Sequence, residues 1–320
     1  MDLSKKFEDY LHTLKWKNEP EGLYEAISYI LQLGGKRIRP QLVLLGNEIF
    51  NGDENAVMPA AAAIELFHNF SLIHDDIMDN APLRRGKKTV HEKFDTNTAI
   101  LSGDAALIFC YEELLKLPAD KVSAAIKLFN KTSLEVCEGQ QFDMLFEKKS
   151  TVSVDDYLEM IRLKTAVLLG CALQLGAMMA DANKNEQHFI YEFGMQMGVA
   201  FQLQDDILDT FGNPETFGKQ VGGDIIQNKK TFLLLKAFEL ANIEQQRVLD
   251  DWLNRKEFDN AKKVEAVKNI FNQINVREMA ETEMQKHFQK AIEAVHQLAI
   301  ADEKKNQLIA FADALMKREK

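Results

Sequence analysis

The chain has 320 residues and a formal net charge of −10. That length suits one large domain, and the acidic balance excludes a general nucleic-acid binder and a polybasic membrane-surface anchor. Cys110, Cys137 and Cys171 lie far apart in apolar or helical runs, so they read as buried thiols in a reducing compartment rather than a disulfide framework.

From the N-terminus, Met1 to Leu14 mixes Lys5, Lys6, Glu8 and Asp9 with apolar residues and holds no signal-peptide apolar region. Next, Gly34-Gly35-Lys36-Arg37-Ile38-Arg39-Pro40 sets three cations in a glycine-started turn before an apolar helix. Glycine permits close backbone approach, and arginine offers bidentate donors to phosphate. Pro59 is expected to open a helix, Ala60 to Asp79 continues it with apolar residues at helical spacing, and Pro82 closes it. Further helices are expected at 98–117, 121–147, 155–180, 186–211, 229–256 and 260–300, the 155–180 helix starting at a Ser153/Asp156 capping box. The stretch Gly212 to Asn228, with Pro214, Gly218, Gly222 and Gly223, reads as a loop. The longest uncharged run, Ala166 to Ala180, is too short to cross a bilayer, and no run reads as a buried strand. The expectation is a single all-α domain over residues 1–320, cytoplasmic and without a membrane span.

Two acidic motifs end apolar helical runs: Asp75-Asp76-Ile77-Met78-Asp79 and Asp205-Asp206-Ile207-Leu208-Asp209. Residues four apart share a helix face, so Asp75 projects with Asp79 and Asp205 with Asp209, while Asp76 and Asp206 lie about 100° round. Clustered carboxylates repel, and a hard divalent cation offsets that repulsion. Mg²⁺ is held by one or two carboxylates plus substrate phosphates and waters. Two such helices facing each other would form a two-sided clamp for a diphosphate and its metals. Basic groups follow each motif: Arg84-Arg85-Gly86-Lys87-Lys88 after the first, and Lys219, Lys229 and Lys230 after the second. An EF-hand is excluded because neither motif continues into the required glycine and distal glutamate. A P-loop is excluded because GxxxxGK[ST] is absent.

Taken in order, GGKRIRP, HNFSLIHDDIMD, LRRG, EGQQFD, KTA, FQLQDDILD and GKQVGGDIIQNKKT resemble the trans-type isoprenyl diphosphate synthases from about residue 30 to residue 235. The resemblance implies a helical bundle around a deep apolar cavity, commonly a homodimer. It implies that isopentenyl diphosphate is condensed onto an allylic diphosphate of C5–C15 with three Mg²⁺. Asp75, Asp79 and Asp205 would carry the metal, assisted by Asp76 and Asp209. Lys36, Arg39, His68 and Arg85 match positions that bind isopentenyl diphosphate. Arg84, Lys164, Thr165, Gln202, Lys219 and Lys229 match the allylic side, and Gln140 and Asp143 stand behind the metal site. One departure is visible: Lys88 stands where the family often has proline.

Family resemblance also makes a large residue at the fifth position before the first motif a floor for the growing product. Phe70 holds that position, with small Ser71 at the fourth and Phe67 nearer the far end, a pattern closer to C20 than to C15 products. Three alternatives stand beside this reading. A class I terpene cyclase would need no GGKRIRP site and has a different second metal motif. An HD-type phosphohydrolase, suggested by His74-Asp75, would need further histidines. A non-catalytic partner subunit could lose acidic or basic motifs, and here both sets are complete.

Overall fold

The structure, a computed structural model, describes residues 3–17, 19–149, 151–212 and 222–317. Among these the secondary structure is helical apart from one small hairpin. Two compact units emerge. The first comprises residues 1–132 and 168–191, and the second 133–167 and 192–320.

The first unit contains α1 (Leu3–Thr13), α2 (Leu23–Gln32), α3 (Ile38–Ile49) and α4 (Glu54–Met78). After α4 come a hairpin of β1 (Leu83–Arg84) and β2 (Lys87–Lys88), the single turn α5 (Val90–Lys93) and α6 (Thr96–Leu114). In this unit α4 packs mainly on α6 and α3. The run Ala60 to Ala63 is wholly buried, and side chains that short let neighbouring helices come close.

Pro59 does not open α4. Asp53 caps the helix six residues earlier by accepting from the Asn55 N–H, and Pro59 lies inside. The carboxylate cap satisfies one first-turn donor, which moves the start upstream, and Pro59, sixth in the helix, leaves the Asn55 carbonyl without its helical N–H partner. The other end closes as expected. Asn80 is left-handed, its N–H bonds the Ile77 carbonyl and that of Ala81 bonds Asp76, a Schellman closure followed by Pro82. In the hairpin, Leu83 faces Lys88 and Arg84 faces Lys87. Arg85 and Gly86 both take positive φ at its tip, the requirement of a type I′ turn. Lys88, at the departure from the family pattern, is part of this ladder, and its carbonyl accepts from the Tyr29 hydroxyl at 2.7 Å.

α7 (Ala119–Lys148) and α10 (Lys184–Phe211) contribute residues to both units. The expected helix over 155–180 is divided: α8 (Val154–Ile161), a π-turn at Arg162–Ala166, and α9 (Val167–Met179). Its start has the expected capping box, Ser153 and Asp156 bonding each other's backbone N–H. A one-turn helix, α11 (Gly223–Ile226), lies inside the stretch read as loop; residues 213–221 of that stretch lie outside the described residues. The expected 229–256 helix is two, α12 (Phe232–Leu240) and α13 (Ile243–Asn254), because Asn242 starts a new capping box with Gln245. The expected 260–300 helix is likewise two, α14 (Asn260–Ile274) and α15 (Val276–His296), broken by left-handed Asn275 and followed by α16 (Asp302–Met316).

Two corrections concern the surface. Cys110 and Cys171 are buried, but Cys137 is exposed, as is Leu134 one helical turn earlier on α7, so that face of the helix is turned outward. Two stretches, Glu54–Met78 and Val154–Met179, are apolar enough by composition to cross a membrane despite their charges, and 72% and 78% of their apolar windows are buried inside the protein. Such burial marks core helices.

Candidate functional site

In the first unit the basic turn and the hairpin supply an anion-receptive cluster. Arg37, left-handed at the N-terminus of α3, turns inward. Its guanidinium donates to Glu8 Oε1 at 2.9 Å, to Glu65 Oε1 at 2.5 Å and to the Leu31 carbonyl at 2.6 Å. Arg37 therefore ties α1, α2 and α4 to the turn, while Lys36 stays exposed and Arg39 half-buried. Arg39 Nη1 lies 3.1 Å from His68 Nε2. Arg85 lies along the glycine turn with Nη1 donating to the Gly34 carbonyl. A Cβ at Gly35, where φ is 136°, would sit 2.8 Å from Arg85 Nη2, so glycine makes room for that arginine.

Burial, then the positive charges of Arg39, Arg85, Arg84 and Arg37, holds the His68 imidazole well below its ordinary range. A neutral ring accepts from Arg39 and adds no repulsion among the guanidinium groups.

The first acidic motif closes α4. Asp75 is half-buried and Asp79, at the C-cap, is exposed. Asp76 turns inward and is 2% exposed. Its two oxygens accept a fork from Arg84, Nε at 2.8 Å and Nη2 at 2.7 Å. Carboxylates at a helix C-terminus oppose the helix dipole, and this fork offsets one of the three. Further up α4, Phe70 packs between Phe67 at 5.5 Å and His74 at 4.7 Å between ring centroids. Phe67 is fully buried and also meets Phe129. Ser71 turns its hydroxyl back to the His68 carbonyl at 2.9 Å.

In the second unit the KTA motif occupies the π-turn. A Cβ at Gly139 on α7 would sit 2.3 Å from the Lys164 backbone N, and one at Gly198 on α10 would sit 2.5 Å from Ala166 Cα. The widened turn is thus pressed by two side-chain-free positions; π-bulges are frequent at functional sites. Lys164 Nζ donates to Asp143 at 2.6 Å, and Gln140 is buried on the same helix. The Thr165 hydroxyl donates to Gln202 Oε1 at 3.4 Å, and Gln202 Nε2 donates to Asp206 Oδ1 at 3.3 Å. Asp206 is buried and also accepts from the Tyr157 hydroxyl. Burial, then the nearby Asp224, pushes its carboxyl well above the usual range, and burial likewise raises the Tyr157 phenol. Asp205 and Asp209 remain half-exposed. Asp209 Oδ2 accepts from the Asp224 N–H at 2.9 Å, holding the start of α11. Lys229 is exposed just beyond that helix; Lys219 lies outside the described residues.

Two features escaped sequence reasoning: Tyr157, whose only signal is a tyrosine one turn into α8, and the latch role of Arg37. Among the described residues no group of three or more His, Cys, Asp or Glu side chains converges on a metal position. Mg²⁺ takes one or two carboxylates, with substrate phosphates and water completing its shell. Asp75, Asp205 and Asp209, each partly exposed, and the exposed Asp79 are hard oxygen donors of the required kind. A wide cleft elsewhere in the second unit, lined by Val152, Leu158, Phe232 and Leu253 among others, includes no acidic-motif residue.

An all-helical chain with two such motifs, each beside cations, defines a class of enzyme that handles diphosphates. The polyprenyl synthetase family model matches residues 20–273. A short chain isoprenyl diphosphate synthase of Methanocaldococcus jannaschii is 38% identical over 267 residues, covering 83% of this chain and 81% of that protein. A geranylgeranyl pyrophosphate synthase of Geoglobus acetivorans is 40% identical over 240 residues, 74% of this chain and 75% of that one. A crystal structure of a geranylgeranyl pyrophosphate synthase superposes with a TM-score of 0.94 at 48% identity, covering 99% of this chain and 98% of the other. The chain belongs to the polyprenyl synthetase family and is a trans-prenyltransferase.

Proposed function

We propose that the protein adds isopentenyl diphosphate to allylic diphosphates of C5–C15 and releases mainly a C20 trans-prenyl diphosphate. The observation that carries this is the cluster around neutral His68, where Arg39 and Arg85 lie beside exposed Lys36. That cluster suits the diphosphate of isopentenyl diphosphate. Arg84, Lys164, Lys219 and Lys229 take the allylic diphosphate. Asp75, Asp79, Asp205 and Asp209 would hold Mg²⁺, three ions with the diphosphate bound. Mg²⁺ supplies charge neutralisation for the leaving group.

The allylic C–O bond ionises, the double bond of isopentenyl diphosphate attacks the cation, and a proton leaves to the released pyrophosphate. The oxygens of Thr165 and Gln202 steady the cation, and water must be kept out because it would trap it. Asp76 serves this chemistry by aiming Arg84 rather than as a metal ligand.

Phe70 is the floor in an apolar cavity. It is half-buried where Phe67 is fully enclosed, so Phe70 is the aromatic available to a product tail. A helical turn of about 5.4 Å is comparable with one isoprene unit. The family match crosses both compact units, which supports one catalytic domain over residues 1–320. A homodimer in the cytoplasm, without a membrane span, completes the proposal. Its support is an apolar stripe along α6 and its C-cap, where Leu101, Ile108 and Leu115 are 59%, 60% and 63% exposed; residues seven apart share a helix face.

The test is incubation with Mg²⁺, isopentenyl diphosphate and, separately, C5, C10 and C15 allylic diphosphates, followed by sizing of products. A ladder ending at C20, abolished by EDTA and lengthened in Phe70→Ala, is expected. A ladder ending at C15 or C25 overturns the product length, and the wild-type ladder in Phe70→Ala overturns the floor. Cyclic hydrocarbons, or phosphate release without condensation, overturn the reaction.

A further inference from the structure

Lys263, on α14, is 0% exposed. Among the described residues its ammonium meets no carboxylate at salt-bridge distance. It donates instead to the Ile226 carbonyl at 3.1 Å and to Asn228 Oδ1 at 2.5 Å, and it lies 4.2 Å from the centre of the Phe258 ring. Burying a cation with neutral partners alone is costly, and burial lowers this lysine's pKa. A methionine would occupy much of the same space without that cost. What the ammonium adds is a pair of bonds to the segment that ends α11.

That segment is a Schellman closure. Asn228 is left-handed, its N–H bonds the Ile225 carbonyl at 3.2 Å, and the Lys229 N–H bonds the Asp224 carbonyl at 2.9 Å. Lys263 takes the adjacent Ile226 carbonyl. Asn228 is held from both ends of its amide, since Nδ2 also donates to the Leu253 carbonyl at 3.0 Å. At the upstream end of α11, the Asp209 carboxylate holds the Asp224 N–H. One short helix is therefore fixed by the second acidic motif at its start and by Lys263 at its finish, and Lys229 is the next residue out.

The geometry points to Lys263 as a positioning residue that fixes the Ile226–Asn228 turn and so aims Lys229 at the allylic diphosphate. This rests on the reading of Lys229 as an allylic-side group. Lys263→Met keeps an unbranched chain against Phe258 and removes the ammonium. It is expected to raise the KM for the allylic diphosphate about tenfold, leave that for isopentenyl diphosphate within about twofold, and speed hydrogen exchange of the Lys229 amide. Asn228→Gly, which keeps the left-handed backbone and deletes the acceptor, should act in the same direction if Lys263→Met fails to fold. In a Lys229→Ala background, Lys263→Met should add nothing to the allylic KM. Unchanged exchange and unchanged KM in both variants, with only Tm lowered, overturns the proposal. If Lys229→Ala itself leaves the allylic KM unchanged, the substrate role of Lys229 falls, and the positioning claim then stands or falls on amide exchange alone.

Discussion

The two acidic motifs have the same spacing but different surroundings. In each, the second aspartate is buried and the first and last face outward. Asp76 is matched by a guanidinium, Arg84, in a two-point bond. Among the described residues Asp206 has neutral donors, Tyr157 and Gln202, with Asp224 and Asp205 nearby. One buried carboxylate faces a cation; burial and a neighbouring carboxylate push the pKa of the other up. The same five-residue pattern thus anchors a cation in the first unit and organises a hydrogen-bond chain, Thr165–Gln202–Asp206–Tyr157, in the second.

The largest effect is expected where the motifs are alike. Asp75→Ala and Asp205→Ala should each lower kcat on the order of 10³-fold in steady-state assays, because on the proposed function each removes an oxygen donor for the Mg²⁺ that neutralises the leaving diphosphate. Near-normal turnover in either variant would break the equivalence of the two motifs.

A smaller loss, about 10²-fold in kcat/KM, is expected from Gly139→Ala. The new Cβ would stand 2.3 Å from the Lys164 backbone N, so the π-turn carrying Lys164 and Thr165 must move. The overlap should also lower stability by about 2 kcal/mol, measured by denaturant unfolding. Lost stability with unchanged kinetics would detach the π-turn from function.

The finest test separates the second aspartates. Asp76→Asn leaves Arg84 without its counter-charge and should cost about tenfold in kcat/KM. Because Arg84 retains some solvent contact, the stability loss should be about 1–2 kcal/mol. Asp206→Asn changes a carboxyl whose two described donors, Tyr157 and Gln202, carry no charge, and should cost about threefold or less. The reverse order would show that charge matters more in the second unit.

Much of the site was legible in the chain itself. The i, i+4 spacing placed Asp75 with Asp79 and Asp205 with Asp209, and it set Asp76 and Asp206 to one side, where the structure finds them buried. His68 and Arg39 belonged together by resemblance, and they are adjacent. What spacing could not separate was Arg37 from Lys36 and Arg39: three cations in four residues look alike until Glu8 and Glu65, distant in sequence, claim one of them. The π-turn was illegible for a related reason. A five-residue widening hardly disturbs an apolar periodicity over 155–180, and Gly139 and Gly198, which lie against it, come from two other helices.

Composition and local pattern by themselves determined the all-helical class, the two acidic motifs, the basic runs beside them and the capping box at Ser153, because helix periodicity, capping and charge clustering are properties of neighbouring residues. The tertiary structure alone decided which arginine is a latch, which aspartates are buried, where helices 155–180, 229–256 and 260–300 break, and that a buried lysine 34 residues beyond Lys229 supports its turn. Those outcomes depend on partners from elsewhere in the chain, which determine where a charge is desolvated and what offsets it.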